Sequence, residues 1–217
     1  MLTDIIIMNT QKEHGPGVYD TVRLAYGVPL AEECENCIDP EDVAEHLQRF
    51  PEGQFVAVYT GDNQHLVVGM AATMRTSHPP TDPPRKWIDE IGSTGIANHH
   101  PAGEWLYGVE MSVRPDFRLQ GIGTALYHAR FELVKRLGLK GWYAGGMLMG
   151  YRRYRKQMSV RNYGEKVISR EIIDPTVTMQ MNRGFEAWDV IEDYLDEPDA
   201  GNGAVLIVWN NPEYDET

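Results

Sequence analysis

Cysteine is nearly absent from this sequence: the only two among 217 residues are Cys34 and Cys37, in a lone CENC. A structural zinc wants about four ligands and a thioredoxin-like pair wants a βαβ setting, and neither surrounds these two. The spacing therefore reads as chance, with no metal site expected. Long apolar runs are missing as well. Nothing approaches the roughly 18 consecutive apolar residues of a membrane span. The opening MLTDIIIMNT has neither a basic leader nor a small-residue cleavage site, so the expectation is a cytoplasmic protein without a membrane partner. Positive charge is scarce too, with 20 Lys and Arg against 32 Asp and Glu, a formal net charge of -12. That balance argues against a general binder of nucleic acid and suits a cationic partner. Much of the acidic excess lies in EDYLDEPDAGNG and PEYDET, which read as solvated surface.

What is present has the length for one sizeable core, so a single domain over 1–217 is expected. DIIIM (4–8) fits a first strand, and Val18, Val22 and Ala25 follow at helical spacing after Pro16 and Gly17. Asp39 can cap a second helix that takes Pro40 at its first position and carries Val43, Leu47 and Phe50 as its apolar stripe. FVAVY (55–59) and LVVGMAATM (66–74) flank turn residues Gly61, Asp62 and Asn63, the pattern of an antiparallel hairpin. From 75 to 103 the pattern is lost among five prolines. Only WIDEI (87–91) reads as a turn of helix there, and Trp87, Ile88 and Ile91 favour an ordered lid. WLYGVEMSV (105–113) is a strong strand. The helix after it, 121–137, places Ile122, Leu126, Ala129, Leu133 and Leu137 on one face and ends at Gly138. A strand at 141–145, helices at 159–168 and from Pro175 to about Arg183, and two closing strands in FEAWDVIE and AVLIVW complete a mixed α/β order.

The chemistry concentrates in VRPDFRLQGIGTAL (113–126), where a strand runs through R-x-x-G-x-G into a helix. A glycine-rich turn at a helix N-terminus offers unpaired N–H groups and the positive end of the helix dipole, a setting for phosphate. No G-K-[ST] follows and no third glycine stands at the dinucleotide offset, so neither a Walker loop nor a Rossmann fingerprint is present. On spacing alone the pattern reads as a site for a phosphate-bearing ligand, the lesser alternative being a tight turn with glycines for packing.

The segment VEMSVRPDFRLQGIGTALYHARFELVKRLGLK closely resembles the acetyl-CoA motif of the GNAT acyltransferase superfamily, V-x-P-x-(Y/F)-R-x-x-G-x-G/A between strand and helix. Val113, Pro115, Phe117, Arg118, Gly121 and Gly123 occupy the matching positions. The element order and the late G-F pair, Gly184 and Phe185, match too. RFPEGQFVAVY, AGGMLMGYRRY and DPTVTMQMNRGFE look like the GNAT domain often fused to nitrilase-like hydrolases; with no hydrolase segment in this sequence, such a partner would act in trans.

The resemblance implies a mostly antiparallel sheet of about seven strands, splayed between the fourth and fifth and flanked by helices. It implies acetyl-CoA as cofactor and a small-molecule amine or protein lysine as acceptor, with an oligomer compatible. The pantetheine arm would lie along Glu110, Met111 and Val113. The pyrophosphate would sit on the amides of Arg118, Leu119, Gln120, Gly121, Ile122, Gly123 and Thr124.

Glu110 is the candidate base on the splayed strand, the other reading being a partly buried structural acid. Strict alternation would put Tyr107, Val109 and Met111 on the face opposite to it. His99 and His100 lie upstream in the lid. The family's tyrosine, four residues before the G-F glycine, is Gln180 here, which can contact the sulfur but cannot protonate it at neutral pH. Tyr151 is the candidate substitute; its other reading is a packed loop aromatic. The basic run YRRYRK (151–156) fits a phosphate or acidic contact and a solvated face equally, with RNA behind both.

Overall fold

The structure, a computed structural model, describes residues 4–34, 37–61 and 64–215. Its strands are β1 (Ile5–Asn9), β2 (Phe55–Tyr59), β3 (Leu66–Thr76), β4 (Trp105–Val113), β5 (Gly141–Met147), β6 (Glu186–Ile191) and β7 (Ala204–Asn210). The helices are α1 (Gly15–Ala25), α2 (Pro40–Arg49), α3 (Trp87–Ile91), α4 (Ile122–Arg136), α5 (Val160–Ile168) and α6 (Val177–Met181). All seven strands join one sheet in the order β1-β2-β3-β4-β5-β7-β6, antiparallel throughout except for the parallel pair β4 and β5. This is the mixed, mostly antiparallel architecture expected. Of the expected turn residues between β2 and β3, Asp62 and Asn63 lie outside the described residues.

The local reasons are those of the sequence. Asp39 accepts the amides of Glu41 and Asp42, Asp42 returns the contact to the Asp39 amide, and Pro40 opens α2. On α4, Ile122, Leu126 and Leu133 are buried against the sheet, each contributing about 1.5–3 kcal/mol of apolar burial. Gly138, at φ 59, ends that helix in the left-handed region.

Two expectations are corrected. Cys34 and Cys37 form a disulfide, because a turn closed by Cys37 N–H on Cys34 O holds their Cα atoms 5.4 Å apart, within bridging range. In the connection from β3 to β4, Trp87 and Ile91 turn inward as expected but Ile88 does not: it is 47% exposed. The connection is nevertheless firmly placed. The Trp87 amide donates to Tyr194 O and its indole Nε1 to Val109 O, and Ile91 and Ile96 are fully buried.

The feature that positions the site is a β-bulge. Ala72 faces Glu110 across the β3–β4 ladder, whereas the next residue, Thr73, faces Gly108, leaving Val109 as the extra residue. The strict alternation expected for β4 is therefore broken. Met111 meets Arg130 of α4, while Tyr107 and Glu110 both meet residues on the other side of the sheet. The bulge also ends the β4–β5 pairing, which holds only through Trp105, Leu106 and Tyr107 against Gly141, Trp142 and Tyr143. Beyond these pairs β5 continues on β7 and β4 on β3, and a gap opens between them.

Candidate active site

At the mouth of the gap, β4 runs through a short 3-10 turn (Pro115–Phe117) into α4. Gly121 stands at φ 91 as the residue before α4, and Leu119 adopts φ 61. The latter is a left-handed conformation costing a side-chain-bearing residue roughly 1–2 kcal/mol. The first bond of α4 runs from Ala125 N–H to Gly121 O. The amides of Leu119, Gln120, Gly121, Ile122, Gly123 and Thr124 find no acceptor among the described residues, and a Cβ on Gly123 would meet nothing within 4 Å. This is an open cradle of N–H groups at the positive end of a helix. Arg118 differs from its neighbours: its amide donates to Pro115 O, and its guanidinium to Val113 O and Ala25 O, so it shapes the loop. Arg183, which the sequence did not single out, donates to Thr124 Oγ1 at 3.0 Å.

The α4 face of the gap holds buried polar atoms without partners. Trp142 Nε1, Gln180 Oε1 and Arg183 Nε have no hydrogen-bond partner among the described residues, although each side chain adjoins Tyr127. Gln180 donates through Nε2 to Tyr127 Oη at 3.1 Å, and its Oε1 faces Gly146, where a Cβ would lie 2.4 Å away. Orphaned donors and acceptors beside a glycine that leaves room are what an amide-bearing ligand would satisfy. The residues present thus fit the pantetheine arm and pyrophosphate of acetyl-CoA. Arg130, buried between the rings of Tyr127 and Trp142, has its pKa lowered to about 10 by desolvation. Within β4, Met111 N–H is taken by Glu110 Oε1 and Val113 O by Arg118.

The opposite face carries the acid–base groups. Glu110 Oε1 accepts from Met111 N–H at 3.0 Å and Ser112 Oγ at 2.8 Å, and Oε2 accepts from Tyr26 Oη at 2.9 Å. A carboxylate has about four lone-pair sites. One therefore remains, on Oε2. Burial raises the Glu110 pKa above the usual carboxylate range, against the lowering effect of its donors. Tyr26 is pushed well above its ordinary value, first by the charge of Glu110 and then by burial.

Tyr194, from the connection between β6 and β7, reaches into the gap itself. Its hydroxyl lies 2.7 Å from Tyr107 Oη of β4, and its ring lies so close to Gly145 of β5 that a Cβ there would come 2.3 Å from Tyr194 Cζ. The tyrosine pair owns two hydroxyl hydrogens. One is used in the shared bond; the other has no acceptor among the described residues. Burial raises the pKa of both phenols, so both are protonated at neutral pH.

The structure does not bring Tyr151 to this group: its hydroxyl donates to Met158 O at 3.1 Å and its ring packs on Tyr163. His99 accepts from Arg75 N–H and stacks on Phe50, with its pKa lowered to about 4 by burial, a structural role. His100 lines the outer rim beside Ser77. Arg152 of the YRRYRK run pairs with Asp199 at 3.6 Å on the exposed surface.

Fold, cradle and gap together define an acyl-CoA-dependent transferase. The chain belongs to the acetyltransferase (GNAT) family, whose model matches residues 19–148. By that membership it is an acetyltransferase. It is 34% identical over 191 residues to the "Probable hydrolase YhcX" of Bacillus subtilis (strain 168), covering 86% of this chain but only 36% of that protein. It is 29% identical over 194 residues to the "Uncharacterized N-acetyltransferase YkwB" of the same strain, covering 86% of this chain and 84% of the relative. Among solved structures, the GphF GNAT-like decarboxylase in complex with isobutyryl-CoA shares the fold, with a TM-score of 0.77 at 16% identity over 95% of this chain and 99% of that one. Among the described residues no helix is long and apolar enough to cross a membrane.

Proposed function

We propose that this chain, acting as one catalytic domain, transfers an acetyl group to an amine that enters from the face bearing Glu110 and Tyr194. When bound at the cradle, acetyl-CoA supplies the activated thioester. The remaining site on Glu110 Oε2 takes the proton of the attacking amine, and the unshared hydroxyl hydrogen of the Tyr107–Tyr194 pair goes to the departing sulfur. The amine nitrogen gains the carbon–nitrogen bond as the carbon–sulfur bond breaks, so Glu110 ends protonated and Tyr194 deprotonated. A proton returned from one to the other through solvent resets the site.

The observation that supports this reading above the others is the position of Tyr194 between β4 and β5, its hydroxyl bonded to Tyr107 of one strand and its ring against Gly145 of the other. It supports Tyr194, rather than the Tyr151 suggested by the sequence, as the proton donor in place of the family tyrosine that Gln180 replaces. A catalytically silent CoA-binding module loses its main motive thereby. The likeness to the YhcX hydrolase supports a hydrolase acting in trans, testable by co-purification with one.

The test is a calorimetric titration with acetyl-CoA followed by an amine panel with free-thiol detection. Micromolar binding with thiol release supports the transferase; binding with no release across the panel returns the reading to the silent module.

A further inference from the structure

On the acceptor face, residues 77–100 wall a narrow cavity of about 20 Å³, lined among others by Tyr194, Gly145 and Ala144. His78, Asp82 and Glu90 line it as well and also border an adjoining open cleft of about 470 Å³. Rings of Tyr107 and Tyr143, with centroids 5.2 Å apart, form one side of the narrow cavity.

Glu90 is 3% exposed, and its two oxygens are used very differently. Oε1 accepts Thr76 Oγ1 at 3.1 Å and Tyr143 Oη at 3.0 Å. Oε2 accepts no hydrogen bond among the described residues. Its nearest cationic groups are Arg85 Nη1 at 3.8 Å and His78 Nε2 at 4.0 Å, both beyond hydrogen-bond length. Oε2 is thus the oxygen left open to a donor that enters from the cleft. The open cleft beside it, about 470 Å³, is far larger than one water needs. The aromatic sides favour a cation over a neutral donor.

Resting on the transferase reading above, we propose that this cavity selects acceptors bearing a second ammonium, which donates to Glu90 Oε2 while the first amine reaches Tyr194 and Glu110. The substrate class is then diamines and related polycations. Amines carrying a carboxylate would meet Glu90 and Asp82 and be disfavoured. Arg85, half exposed at the cavity rim, is the internal cation that competes for Glu90.

The experiment measures putrescine binding by calorimetry and, separately, the ratio of kcat/KM for putrescine to that for butylamine at saturating acetyl-CoA. Wild type is expected to prefer the diamine at least about tenfold, the worth of one hydrogen bond to a charged group. Glu90→Gln keeps the Oε1 contacts and should lose both putrescine binding and the preference. Arg85→Met should tighten putrescine binding, a change of opposite sign that unfolding cannot imitate. Equal treatment of the two amines, or a preference untouched by Glu90→Gln, overturns the proposal. Putrescine binding that responds to both substitutions without any thiol release would sustain this site and refute the transferase reading, so the two failures are told apart.

Discussion

Tyr26 donates to Glu110 Oε2 at 2.9 Å, joining the chain just after the first helix to the middle of the fourth strand across 84 positions of sequence. The bond orients the carboxylate and leaves one lone pair for a substrate proton. Desolvation raises the Glu110 pKa, and the consequences have definite signs.

As the base, Glu110 must be ionised, so kcat/KM should fall as pH drops through a pKa above the ordinary carboxylate range. Glu110→Gln should lower kcat by roughly 10²–10⁴-fold and remove that acid limb, with acetyl-CoA affinity nearly unchanged in calorimetry. Stability should move the other way. A carboxyl with a raised folded-state pKa stabilises the fold below its unfolded pKa and loses that contribution as pH rises through the folded value. The Gln variant should therefore melt at or above the wild-type temperature at neutral pH, and a clear drop in its melting temperature would contradict the assignment.

Tyr194→Phe should reduce thiol release by about 10²-fold or more while leaving acetyl-CoA binding intact. Tyr151→Phe removes a hydroxyl that bonds Met158 O and should change kcat little. Equal losses in the two variants would remove Tyr194 from the chemistry.

The glycines of the cradle separate fold from function. Gly121, at φ 91, would be strained by any side chain, so its variants confuse folding with binding. Gly123 has open space around it and no such strain. Gly123→Asp puts an acid in the first turn of α4, where the dipole favours it by about 0.3–1 kcal/mol, but aims a carboxylate at the phosphate cradle. The expected result is an unchanged or higher melting temperature with at least about tenfold weaker acetyl-CoA binding. Unaltered affinity would mean the phosphates sit elsewhere.

Cys34 and Cys37 close a very short loop. The chain-entropy model assigns such a loop only about 2 kcal/mol. Reduction, or Cys34→Ser, should lower the melting temperature by a few degrees and leave the protein folded. Thiol counting under denaturing, non-reducing conditions should find neither cysteine free.

The strands, the principal helices and the glycine cradle were legible because each is a local pattern: β-rich runs, the Ile122–Leu137 stripe, the R-x-x-G-x-G spacing. Glu110 was legible as a candidate for its place on a splayed strand. The face it shares with Tyr107 was not, because a bulge at Val109 is a register event between two strands and leaves no mark on alternation within one. Tyr194 was hidden differently. It sits in EDYLDEPDAGNG, whose charge reads as solvated surface, yet it is 5% exposed. A single aromatic amid acids was the available signal, and only tertiary placement gives it meaning. The cysteine pair was misjudged because a bridge depends on a turn that spacing alone does not specify.

Trp87 fastens the wall of the acceptor cavity at two points, Val109 O in the bulge and Tyr194 O behind the gap. The segment proposed to choose the acceptor is thus physically stitched to the groups proposed to move protons. Grafting a foreign 77–104 segment into this framework would transplant selectivity only if an indole arrived in the same place. Without it, the exchange would also disturb the chemistry it was meant to leave alone.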